Sequence, residues 1–81
     1  MRIEFNEKTD ISELQNYNDG VEPAYAPKGS THRGTAWCGR SDCPRCVGNL
    51  MLLPDNKIVG FIDTECSCGQ KLNWSTAIDH I

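Results

Sequence analysis

Cys43-Pro44-Arg45-Cys46 and Cys66-Ser67-Cys68-Gly69 are the residues of this sequence best suited to chemistry. Nineteen residues separate Cys46 from Cys66. The intervening segment reads as a β-hairpin, so the two close pairs stand at its two ends and bring four sulfurs to one point. Four thiolates are a soft donor set, and a tetrahedral zinc ion takes such donors at about 2.3 Å. Pro44 within the first pair, with Gly48 and Gly69 after the pairs, suits tight turns whose amides point at sulfur. A closed set of four thiolates leaves no open coordination position for water, so one structural Zn2+ is expected and zinc chemistry is not. The spacing compels no acid–base pair and no Ser-His-Asp arrangement, so no enzyme is expected.

Other readings of the cysteines stay open. Cys38 is the fifth. It can replace Cys66 or Cys68 as a ligand, act as an exposed thiol, or pack near Trp37 as a small apolar side chain. Cys38, Cys43 and Cys46 followed by a distant cysteine also have the plant-type spacing of a two-iron, two-sulfur cluster, which would make the chain an electron carrier. Ser41 and Pro44 suit a cluster loop poorly. A redox Cys-x-x-Cys needs a helix N-terminus to lower the thiol pKa, and the apolar hairpin that follows is the wrong context. His32 and His80 are further candidate ligands, although a lone His in a loop or tail is commonly just solvated.

The run Cys-Pro-Arg-Cys, a hairpin, then Cys-Ser-Cys-Gly-Gln-Lys-Leu-Asn-Trp resembles the zinc ribbon family over about residues 43–75. The stretch from Cys66 to Ser75 also looks like the ending of small zinc-ribbon proteins encoded by bacteriophages and bacterial mobile elements. The resemblance implies a three-stranded ribbon with zinc held by Cys43, Cys46, Cys66 and Cys68. It further suggests a regulator or inhibitor of a larger host protein, such as a polymerase or a defence nuclease. The second pair has one intervening residue where the family usually has two, and Val47 stands where the family usually has Gly.

Charge bears on partners. Residues 1–29 carry six acids against three bases, and residues 30–48 carry three arginines against Asp42. Arg33, Arg40 and Arg45 with Trp37 are a candidate nucleic-acid contact, since Trp stacking plus Arg binds single strands. The same residues also read as a solvated loop. The net charge of −3 opposes general phosphate binding. Glu4, Glu7, Asp10, Glu13, Asp19 and Glu22 could mimic nucleic-acid charge toward a basic partner, or be an ordinary solvated face.

The elements that must position the cysteines can be read in turn. Asn49–Leu53 and Ile58–Ile62 read as paired strands around a Pro54-Asp55-Asn56-Lys57 turn. Gln70–Trp74 reads as a third strand with Leu72 and Trp74 on one face. Arg2–Asn6 alternates as a short strand. Asp10-Ile11-Ser12-Glu13 has the form of a capping box opening a short helix over about residues 10–17, stopped at Asn18-Asp19-Gly20. Gly20–Thr35 reads as a long loop, and Ser75–Ile81 as a tail or helical turn. Ile58 and Ile62 share one face of the return strand, and Val59 and Phe61 the other, so both faces need covering. Ile3, Phe5, Ile11, Leu14 and Tyr17 are expected to cover the ribbon, or else a partner does. The fold expected is a small metal-stabilised α+β unit, with an N-terminal arm over 1–36 and a zinc ribbon over 37–81.

Size agrees with a metal staple. The chain has 81 residues and a mass of 9.0 kDa, and domains this small usually add a metal, disulfides or a partner. The longest apolar run is Leu50–Leu53, too short for a membrane span. No signal peptide is visible and the cysteine number is odd, so a reducing cytoplasm is the expected setting.

Overall fold

A computed structural model of the chain describes residues 1–25, 35–37 and 46–81, with no account of the side chains of Thr35, Trp37 and Cys46. Five strands form one antiparallel sheet: β1 (Arg2–Asp10), β2 (Ala24–Tyr25), β3 (Thr35–Trp37), β4 (Cys46–Leu53) and β5 (Lys57–Asp63), in the order β1-β5-β4-β3-β2. The three long strands β1, β5 and β4 make its body. Among the described residues helix is confined to short 3-10 turns at Ile11–Asn16, Pro54–Asn56 and Ala77–His80.

The β4–β5 hairpin forms where the alternation and the Pro-Asp-Asn turn require it. Leu53 pairs with Lys57 and the register runs to Gly48 opposite Ile62. Asp55 and Asn56 take φ of 63° and 59°, the left-handed region these two residues tolerate.

The third long strand is not the expected one. β1 pairs with the open side of β5, with Ile3 opposite Ile62 and Phe5 opposite Gly60. It therefore lies beside the hairpin rather than on it. It also continues past Asn6 through a bulge between Phe5 and Thr9. There the Asn6 N–H donates to Thr9 Oγ1 at 3.2 Å, and the Lys8 N–H donates to Asn6 Oδ1 at 2.9 Å. Gln70–Trp74 forms only isolated bridges: Lys71 with Glu65, Leu72 with Val21, and Asn73 with Asn18. Its alternation is real, since Leu72 and Trp74 are both buried, but its partners are loop segments on two sides.

The segment after β1 is a 3-10 helix and not an α-helix. Asp10 caps it, accepting from the Ser12 N–H at 2.9 Å. That bond holds the exposed Asp10 carboxyl below its ordinary value, and Lys57 adds to the effect. Within the stretch expected as loop, Ala24 and Tyr25 form β2, paired with Trp37 and Ala36.

The core lies on one sheet face. Phe5, Leu50, Ile58 and Ile62 are covered there by Ile11 and Leu14 of the first 3-10 helix and by Leu72, Trp74 and Ala77. Each such large side chain stabilises the fold by about 2 kcal/mol relative to exposure. The N-terminal segment thus covers the Ile58 and Ile62 face. The opposite face keeps Val59 and Phe61 half-buried and Met51 60% exposed. Arg2 lies over the Phe61 ring, 4.1 Å from its centroid, and pairs with Asp63 at 3.0 Å. Among the described residues no helix is long and apolar enough to cross a membrane.

Candidate metal centre

The second cysteine pair sits on a small hairpin of its own. The Gly69 N–H donates to the Cys66 carbonyl and the Cys66 N–H to the Gln70 carbonyl, each at 2.9 Å. Gly69 has φ of 88°, a conformation that favours glycine by about 1–2 kcal/mol. Glu65 and Lys71 bridge antiparallel behind the turn, and their side chains pair at 3.3 Å. Ser67 and Cys68 therefore stand at the tip. Cys66 is 4% exposed and joins the core, whereas Cys68 is exposed.

Of the first pair, the backbone of Cys46 is what the described residues place relative to this turn. Cys46 opens β4, two residues before Gly48, and Gly48 is level with Ile62 on β5. Cys66 follows Ile62 by four residues. Cys46 and the Cys66–Gly69 turn thus belong to the same end of the sheet, away from the Pro54–Asn56 turn. The Cα of Cys46 is also paired with that of Trp37 on β3, the residue before Cys38. Cys38, Cys43 and the side chain of Cys46 lie outside the described residues. Among the described residues no three His, Cys, Asp or Glu side chains gather as a metal-binding group.

Trp74 is what the sequence reading undervalued. It is 1% exposed. Its indole Nε1–H donates to the carbonyl of Asp63, the last residue of β5, at 2.8 Å. Its ring packs on Gly48, where any Cβ would overlap the Cη2, Cζ3 and Cζ2 atoms. Gly48 is thus required by the ring above it and not by a turn.

The remaining expected residues fall elsewhere. Arg33, Arg40, Arg45 and His32 lie outside the described residues, as does the Trp37 side chain. His80 stacks on Tyr25 with ring centroids 3.9 Å apart, and its Nε2 is 3.3 Å from Glu22 Oε1. The Thr76 hydroxyl donates to the same Glu22 oxygen at 2.7 Å. Burial raises the Tyr25 hydroxyl above its ordinary value, with Glu22 and Asp79 adding to the shift. No spacing in the sequence signals this cluster, because its members come from distant segments.

Comparison with family models, with curated proteins and with solved structures gives no match in any of the three.

Proposed function

We propose that this chain is a small non-enzymatic zinc-ribbon protein of the kind carried by bacteriophages, and that it binds a larger host protein in the cytoplasm as a regulator or inhibitor. The observation that carries the binding reading is the sheet face opposite the core. Met51 stands opposite Val59, and Phe61 lies between Asn49 and Glu4. Met51 is 60% exposed, and Val59 and Phe61 are only half-buried. Arg2 lies over the Phe61 ring, and the Met51–Val59 pair beside it favours a macromolecular contact, since an exposed apolar patch is otherwise a solubility liability.

In this reading Cys43, Cys46, Cys66 and Cys68 hold one zinc ion, with Cys38 the spare. The tight Cys66–Gly69 turn and the position of Cys46 at the same sheet end support that assignment. A zinc there would couple metal binding to folding at that end of the sheet. The nucleic-acid reading rests on Arg33, Trp37, Arg40 and Arg45, and no described side chain adds to it.

The test is affinity capture from a bacterial lysate by the wild-type chain and by Met51→Glu. A protein retained by the wild type and lost with Met51→Glu supports the reading. Equal recovery with both, or nothing above background, counts against it.

A further inference from the structure

We infer that Trp74 is the positioning residue of the thiolate site, an inference that rests on the zinc reading above. One rigid side chain touches both arms that lead to the cysteines. Its indole N–H holds the carbonyl of Asp63, three residues before Cys66. Its ring presses on Gly48, two residues after Cys46. The main chain of Trp74 is fixed in turn, because its N–H donates to the Tyr17 carbonyl. Tyr25 meets the indole edge-on at 6.3 Å between centroids, and Tyr25 belongs to β2, which pairs with the strand facing Cys46.

Strand ends fray unless tied down. Here the tie spans two neighbouring strands at the end that carries the cysteines. An indole loses little conformational freedom on burial, so it can set a distance between two backbones at low cost. Groups that orient metal ligands from behind change metal affinity by roughly 10–100-fold. Trp74 acts on backbone rather than on sulfur, and it fixes how far apart the two cysteine-bearing arms stand.

The experiment uses the full chain with Co2+ and Zn2+ as probes, comparing wild type, Trp74→Phe, Gly48→Ala and Ile58→Ala. Tetrahedral thiolate coordination gives Co2+ visible bands that report ligand geometry directly. Trp74→Phe removes the Asp63 bond, and Gly48→Ala displaces the ring without removing it. Ile58 is fully buried but lies near the other end of the hairpin, opposite Leu52. It therefore controls for a general loss of stability. The inference expects Trp74→Phe and Gly48→Ala to weaken Co2+ and Zn2+ binding about tenfold or more and to alter the Co2+ bands. Ile58→Ala should keep the wild-type bands. Wild-type bands in all four proteins would overturn the role of Trp74 and leave the zinc reading standing. Absence of tetrahedral bands in the wild type itself would remove the zinc reading, and this inference with it.

Discussion

The rings of Tyr25 and His80 lie 3.9 Å apart and 4° from parallel. This stack ties the last 3-10 helix to the two-residue strand β2. Glu22 reinforces it from below through His80 and Thr76. Stacked aromatic pairs contribute about 1 kcal/mol beyond their burial. His80→Ala is therefore expected to destabilise the chain by about 1 kcal/mol, read from the denaturant midpoint at constant slope.

Tyr25→Phe should behave differently. Among the described residues the Tyr25 hydroxyl is buried without a hydrogen-bond partner. Removing such a group costs nothing or stabilises, by about 1 kcal/mol at most. The wild type should also lose stability in alkali. The folded-state value of Tyr25 is raised above the ordinary 10.0, so stability is full below about pH 10 and falls as the pH climbs above it. Unfolding curves across that range should show the fall in wild type and less of it in Tyr25→Phe.

Asp10 gives the opposite sign. Its folded value lies below the ordinary 3.8 because it accepts from Ser12. Its contribution is present above pH 3.8 and is lost as the pH drops through the lowered value. A carboxyl titration followed by NMR should find Asp10 below the ordinary 3.8. Asp10→Ser should keep the cap, since Ser serves the same position, and should lose the acid dependence.

Gly48→Ala tests the packing at the cysteine end through stability. A methyl group there overlaps the Trp74 ring, and overpacking of this kind costs about 1–3 kcal/mol. Equal stability of zinc-loaded Gly48→Ala and zinc-loaded wild type would refute the contact.

How legible each part was depends on where its cause lies. The β4–β5 hairpin was legible because Pro54, Asp55 and Asn56 specify its turn locally and Ile58 and Ile62 alternate toward the core. The length of β1 was not, because the bulge at Asn6–Lys8 is held by side-chain hydrogen bonds and breaks the alternation. The pattern of Leu72 and Trp74 suggested a strand, and both side chains are buried. It could not show that β1 would take the place beside β5, because both candidates alternate and pairing is decided by long-range contacts. At the candidate site, Gly69 announced the turn at Cys66. The part played by Trp74 depends on its fit to Gly48 and Asp63, which no local pattern carries.

The most direct test of the central claim is metal content by elemental mass spectrometry, with a visible spectrum, on chain purified in reductant. Wild type, Cys38→Ser and Cys46→Ser suffice. The account predicts one zinc per chain and no colour in wild type and Cys38→Ser, with zinc lost and the chain unfolded in Cys46→Ser. Iron and colour that vanish with Cys38→Ser, or a metal-free wild type that melts like Cys46→Ser, would contradict it.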